Sequence, residues 1–244
     1  MSPKKVVLML SGGRDSFLSA CLLLEKSPEY YLYMVTFDNG FTYGLDSVKG
    51  TAERIINKYG KNRAQYLGVI RTSAVLREFY SPYFNMKPEE QLKRFYGLTP
   101  SQYHCLICRT SMYLYSIWIA MLNDASYISE GARASQEFVI ELSGMIERFS
   151  LLVKSAGMNL MLPVYELDDD WIRDKELISR GFLSKALEPK CLLGYPIQQG
   201  VDQSVIDGVH AYYDQVILPR IMQKKLLTLD NAKKYAVCIP ERLM

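Results

Sequence analysis

The chain has 244 residues, 49% of them apolar and 23% charged, with 29 Lys and Arg against 26 Asp and Glu for a net charge of +3. That length suits one large domain with its own core, so disulfide staples are not required, and the small charge excess does not by itself argue for a nucleic-acid partner. Five widely spaced cysteines, an odd number, exclude a secreted disulfide framework; no run of about 18 apolar residues occurs, so no membrane span is expected, and the cytoplasm is the expected location.

In chain order, Val6-Val7-Leu8-Met9-Leu10 is a continuous apolar run before a Gly pair, the pattern of a buried parallel strand. It is too short for a secretory signal core. Residues 16–26 place apolar side chains at 17, 18, 21, 22 and 24, a helical spacing. Residues 31–37 predict a second strand, ended by Asp38-Asn39-Gly40. Residues 48–59 predict a helix with Gly60 as C-cap, and 66–70 a third strand. Strands alternating with helices imply parallel pairing and right-handed crossovers. The expected fold class is therefore α/β, a doubly wound, mostly parallel sheet with helices on both faces.

Residues 73–104 are rich in aromatic residues and proline and read as an inserted helical segment. Its tyrosines, Tyr80, Tyr83, Tyr96 and Tyr103, suit either a cover over the active site or a homodimer surface. Residues 108–122 predict a helix, 125–129 a strand, 130–135 a turn, 138–152 a helix and 160–165 a strand interrupted by Pro163. Residues 169–180 predict a helix whose first turn is acidic, and 203–225 a helix broken near Pro219. The expected division is an α/β domain over 1–200 and a C-terminal helical extension over 201–244. The lysines at 4, 5, 224, 225, 233 and 234 read as solvated faces.

The first strand runs into Ser11-Gly12-Gly13-Arg14-Asp15-Ser16 and then into a helix. Adjacent glycines let the chain turn tightly and let a ligand approach the backbone. The helix start offers unpaired N–H groups and a positive dipole end, an anion site suited to pyrophosphate. Ser11 and Ser16 add hydroxyl donors. Asp15 would repel phosphate, and makes sense as a ligand to Mg²⁺, which takes carboxylate together with phosphate oxygens.

This hexapeptide resembles the Ser-Gly-Gly-x-Asp-Ser signature of the PP-loop ATP pyrophosphatase superfamily. The resemblance implies an adenine nucleotide alpha hydrolase-like fold, and ATP cleaved to AMP and pyrophosphate with AMP placed on a substrate oxygen. It implies a phosphate cradle of Leu10, Ser11, Gly12, Gly13, Arg14, Asp15 and Ser16, and adenosine contacts from Phe37 and Asp38. Ser129-Glu130-Gly131-Ala132-Arg133 resembles the family's second phosphate-side motif. There Gly131 and Arg133 would contact the nucleotide, Arg133 facing the α-phosphate; Asp15 and Arg133 are the expected catalytic residues.

Cys105-Leu106-Ile107-Cys108 precedes the predicted helix at 108–122, and Cys191 lies far downstream in a loop-like segment. Three thiolates suit a [4Fe–4S] cluster with one open iron, or Zn²⁺ with a fourth ligand such as His104; a redox dithiol is a third outcome. Cys21 and Cys238 read as structural, and His210 as a helix residue. Order and spacing of the trio resemble the tRNA thiolation branch of the superfamily, of the 2-thiocytidine synthetase type. That likeness implies a sulfur transferase acting on tRNA or a small-molecule acceptor, supplied by a sulfur donor protein. Arg14 stands where thiolation enzymes often carry Lys, and Gly131-Ala132-Arg133-Ala134 departs from the branch's His-rich motif. Asp38-Asn39-Gly40-Phe41 is similar instead to N-acetyl sugar amidotransferases. That implies a rival: an ATP-dependent amide ligase with an ammonia donor protein and structural or zinc-bound cysteines. A non-catalytic nucleotide-binding module is the third reading.

Overall fold

The computed structural model describes residues 3–136, 138–183, 188–193 and 202–235. Its strands are β1 (Lys4–Met9), β2 (Tyr30–Asp38), the short β3 (Thr42–Tyr43), β4 (Ala64–Arg71), β5 (Tyr127–Ser129), β6 (Asn159–Met161) and the short β7 (Lys190–Cys191). Five of them form one parallel sheet in the order β4-β2-β1-β5-β6, and β3 pairs antiparallel with β7.

The alternation along β1 explains the layering, because neighbouring side chains leave a strand on opposite faces. Val6, Leu8 and Leu10 pack with Phe17, Leu18 and Cys21 of α1 (Arg14–Lys26), Val48 and Ile55 of α2 (Asp46–Tyr59), and Leu177, which lies further along the chain. Val7 and Met9 join the opposite core. That core gathers Val75 and Phe79 of α3 (Ser73–Phe84), residues flanking α4 (Pro88–Arg94) such as Phe95, Trp118 of α5 (Pro100–Leu122), and Phe149 of α6 (Ser143–Ser155). Leu177 belongs to α7 (Asp170–Ser179). Tyr212 of α8 (Gln203–Tyr212), Ile221 of α9 (Leu218–Gln223) and Ala232 of α10 (Leu229–Tyr235) enter the α5 core. Both sheet faces are covered by helices, and the chain is a doubly wound α/β fold.

The strand order reverses at β1. The chain steps outward from β1 through β2 to β4, then crosses back through α3, α4 and α5 to lay β5 on the other side of β1. Loops leaving β1 and β5 therefore diverge and open a crevice at the carboxyl ends of the strands, where ligands of such folds bind.

Several boundaries differ from the sequence expectation. Helix α5 begins at Pro100, so Cys105 and Cys108 lie within it and not before it. Thr99 caps it by accepting the Gln102 N–H at 3.3 Å, and Pro100 fits the first turn, where its missing N–H costs nothing. The predicted helix over 138–152 splits into a 3₁₀ turn at Val139–Glu141 and α6. The strand predicted over 160–165 stops at Met161, two residues before Pro163. Between α8 and α9 runs a π-helical turn, Tyr213–Ile217, which carries the chain to Pro219 without a break. Cys238 lies outside the described residues.

Helix α5 is long and apolar enough to cross a membrane by length and composition, with a mean hydropathy of 1.4 in its most apolar window. It is mostly buried inside the protein, so the core accounts for its apolarity.

Candidate functional site

The crevice is a cavity of about 360 Å³. Its wall joins two groups of residues that lie far apart in the chain. Leu10, Ser11, Gly13, Asp15 and Ser16 come from the end of β1 and the start of α1; Cys105, Cys108 and Cys191 come from α5 and β7. Phe37, at the end of β2, and Gly131, after β5, also line it.

The turn at 11–13 is built from its own hydroxyls. Ser11 Oγ lies 2.9 Å from Ser16 Oγ and accepts the Gly13 N–H at 3.1 Å, while Ser16 Oγ accepts the Ser11 N–H at 3.2 Å. Gly12 has φ +85°, and a Cβ there would stand 2.8 Å from Val48 Cγ2, so both conformation and space demand glycine. Gly13 is the N-cap of α1 and offers no side-chain cap, which leaves first-turn N–H groups for an anion. One of them is engaged: Glu188 Oε1 accepts the Arg14 N–H at 3.2 Å. The Arg14 side chain turns away from the cavity to Asp174, at 2.9 Å. Asp38 is occupied with its own turn, accepting the Gly40 N–H at 2.8 Å.

Asp15 sits in a cationic surround. Its carboxylate accepts from Arg173 Nη1 at 3.1 Å and from Gln136 Nε2 at 3.0 Å, and Arg133 Nε stands 3.0 Å away without hydrogen-bond alignment. Both guanidiniums are buried, and Asp170 Oδ1 meets Arg133 at 2.5 Å and Arg173 at 3.2 Å. Burial pushes the Asp15 carboxyl above its ordinary value, against Arg173 and Arg133, which pull it down. Arg133 is thus held behind Asp15 and does not line the cavity; Gly131 beside it does.

At the other end, residues 105 and 108 are three apart on α5 and share a face. The β3–β7 pairing sets Cys191 opposite Thr42 and brings it to them. Asn39, buried at the end of β2, organises the group. Its Oδ1 accepts the Phe41 N–H at 2.8 Å and the Thr42 hydroxyl at 2.9 Å; its Nδ2 donates to Cys108 Sγ at 3.2 Å and Cys191 Sγ at 3.6 Å. His104 Nε2 lies 3.9 Å from Cys191 Sγ, and its Nδ1 meets the Tyr80 hydroxyl. Burial pushes the Cys105 thiol up to about 12 and the Cys108 thiol to about 11, and the neighbouring sulfurs add to the rise while Arg109 opposes it. Three thiols on one wall, two of them, Cys105 and Cys108, held protonated by burial, are a donor set that a cationic metal group would fit. Among the described residues no three His, Cys, Asp or Glu side chains already enclose one ion-sized point; the Asn39 amide stands between two of the sulfurs.

The structure adds residues that sequence reasoning missed. Arg109 lines the cavity beside Cys108, pairs with Glu130, and donates to Glu141 Oε1 at 2.8 Å. Glu130 also accepts the Tyr113 hydroxyl, and Glu141 accepts the Arg133 N–H at 3.1 Å. Arg109 is the one Asp, Glu, Lys or Arg of α5, and a lone charge in so apolar a helix was the available signal. Arg173 and Glu188 carried no such signal.

No family model and no curated protein sequence matches the chain. Solved structures do resemble it, two of them of tRNA-related proteins. The U34-tRNA thiolase NcsA from Methanococcus maripaludis, solved with its [4Fe–4S] cluster, is 16% identical over 96% of this chain and 73% of that one, with a TM-score of 0.45. A predicted subunit of a tRNA methyltransferase from Methanocaldococcus jannaschii is 15% identical over 78% of this chain and 96% of that one, with a TM-score of 0.40. At this distance neither likeness carries weight for what the chain does.

Proposed function

We propose that the chain is an ATP-dependent adenylating enzyme that uses its three cysteines to replace an activated oxygen by sulfur. The observation that carries this reading is the shared cavity: the Ser11–Ser16 loop and Cys105, Cys108 and Cys191 line one wall-to-wall space. Phosphate activation and sulfur chemistry would then act on the same bound acceptor, a tRNA base or a small molecule.

The α1 N-terminus and the two serine hydroxyls would hold the phosphates, and the apolar ends of β1 and β2, with Phe37, would hold adenine. The acceptor's carbonyl oxygen attacks the α-phosphorus. The bond to the α,β-bridging oxygen breaks, and pyrophosphate leaves with its electron pair. Donors already fixed on the backbone stabilise that charge without reorganising. A sulfur nucleophile then attacks the adenylated carbon, and AMP departs with the original oxygen. Mg²⁺ would be held by Asp15 once its guanidinium partners yield, with Arg133 behind Asp15 balancing its charge. Cys105, Cys108 and Cys191 would hold a [4Fe–4S] cluster, which when bound supplies a site for the incoming sulfur. Asn39 orients two of those sulfurs, and His104, held by Tyr80, stands beside Cys191.

The test is anaerobic purification with iron, sulfide and zinc analysis, alongside AMP and pyrophosphate release with sulfide or with ammonia as nucleophile. Iron and sulfide bound through the three cysteines, with sulfide-dependent AMP release, supports the reading. Stoichiometric zinc with ammonia-dependent AMP release moves the chain to the amide ligases. Nucleotide binding without pyrophosphate release under either nucleophile leaves only a binding module.

A further inference from the structure

Residues 188–191 cross the cavity from its phosphate end to its thiol end, and each end is anchored. At the first, Glu188 Oε1 accepts the N–H of Arg14, the first residue of α1, at 3.2 Å, and lies 3.8 Å from Arg14 Nε. A Cβ at Gly13 would come 3.2 Å from Glu188 Oε1, and one at Gly12 3.1 Å from Pro189 Cδ, so the segment rests directly on the glycine turn. At the second end, Lys190 and Cys191 pair with Tyr43 and Thr42, and Cys191 Sγ takes the Asn39 amide at 3.6 Å. Glu188, Pro189 and Cys191 all line the cavity.

We infer that Glu188 sits in the phosphate seat and couples nucleotide binding to the position of Cys191. This rests on the reading of the Ser11–Ser16 loop as a nucleotide site. A carboxylate is the side chain most like a phosphate, and a helix N-terminus stabilises either. The Arg14 N–H points at one acceptor, and two anions in one seat repel. A triphosphate settling on the turn therefore expels the Glu188 carboxylate and presses on the Pro189 ring packed against Gly12. Cys191 follows two residues after that proline, within a span of about 7 Å even fully extended, so the strap transmits the displacement to its sulfur. By linkage, whatever fixes Cys191 in its displaced position strengthens nucleotide binding by the same factor. Glu188 is a positioning residue: it sets when the third thiol stands with the other two.

The experiment uses the full chain, reduced, cleared of thiol-bound metal with a chelator and exchanged into Mg²⁺, with α,β-methylene ATP as a probe that cannot be cleaved between its α and β phosphates. Calorimetry gives its affinity for the wild type and for Glu188→Gln, and iodoacetamide labelling with peptide mass spectrometry gives the alkylation rate at each cysteine. Glu188→Gln is expected to bind the probe roughly two- to fivefold more tightly, the factor matching the loss of a carboxylate at a helix N-terminus. In the wild type the probe should change the rate at Cys191 and leave that at Cys21 alone. In Glu188→Ala, which has no acceptor for the Arg14 N–H, the Cys191 rate should lie near its probe-bound value before any probe is added. Glu188→Asp, which keeps the charge on a shorter arm, should restore wild-type probe affinity in part. Equal affinities in wild type and Glu188→Gln, or a Cys191 rate indifferent to the probe, overturn the coupling and leave the nucleotide site standing. Failure of both proteins to bind the probe overturns the nucleotide reading and the coupling together.

Discussion

Gly131→Ala is the sharpest test of how the nucleotide loop is placed. Gly131 follows β5 and lies against the first turn of α1. A Cβ there would fall 2.4 Å from Ser16 N, 2.7 Å from the Asp15 carbonyl carbon and 2.8 Å from Ser16 Cα. All three are backbone atoms, so no side chain can rotate out of the way. Carbon atoms in good contact stand about 3.5 Å apart, so the β5 loop and the start of α1 must separate by roughly 1 Å. Overpacking of that size costs about 1–3 kcal/mol, and in a chain of this length each kcal/mol lowers Tm by roughly 2–4 °C. The same shift moves the phosphate-binding turn, and a misplacement of about 1 Å lowers turnover on the order of 10²-fold. Differential scanning calorimetry and pyrophosphate release measure the two effects. Gly50→Ala is the control: it lies exposed in α2 with open space where its Cβ would go, and is expected to gain about 0.5–1 kcal/mol by removing a helical glycine. A Gly131→Ala protein that melts with the wild type and releases pyrophosphate at its rate would refute the claim that this contact sets the loop.

Arg109→Met leaves Glu130 and Glu141 without their shared cation and is expected to destabilise the fold by about 3–5 kcal/mol at neutral pH. Burial already pushes the Glu141 carboxyl above its ordinary value of 4.5, so the stability this group supports is fullest below that value and falls as pH rises through the shifted one. Urea unfolding of Arg109→Met should therefore show a smaller deficit at pH 4.5 than at pH 7; a deficit that grows in acid contradicts the assignment. The raised thiols of Cys105 and Cys108, at about 12 and about 11, predict that iodoacetamide labels both slowly in the metal-free chain until the pH passes 10. Rapid labelling at pH 8 would mean that they are not buried together. Asn39→Ala removes the donor shared by Cys108 and Cys191 and leaves the Phe41 N–H without its acceptor. It is expected to cost about 1–3 kcal/mol and to reduce iron or zinc retained per chain. Full metal content with lost stability would confine Asn39 to the turn.

The β1–loop–α1 unit was legible because its signals are local: an apolar run, two glycines, then helical spacing. The sheet followed from repetition of that unit. The thiol trio was legible as chemistry but not as geometry. The sequence places Cys105 and Cys108 before a helix, but the cap at Thr99-Pro100 starts α5 upstream of both; inside it they share a face, which a loop would not guarantee. Asn39 was seen only as a turn residue, and nothing local tells that its amide faces two sulfurs contributed by α5 and β7. Arg173 was illegible for the same reason. Its role depends on α7 packing beside α1, a tertiary fact that no residue near position 173 encodes.

Asp15 and Glu188 together show what that packing does to an anion site. The motif leads one to expect metal or phosphate around Asp15, and phosphate at the start of α1. In the structure each donor set is met by a carboxylate of the chain itself: Arg173, Arg133 and Gln136 gather on Asp15, and the Arg14 N–H meets Glu188. The reason is general, since buried or half-buried donors that lack a partner are costly, and cations most of all. Yet the satisfaction is incomplete. Arg133 Nε is close to Asp15 without alignment, and Arg173 Nη2 is buried with no partner. Two guanidinium nitrogens close to the turn that carries the Ser-Gly-Gly motif are thus left without an acceptor. On the proposed function the two carboxylates are the groups that must give way to the triphosphate.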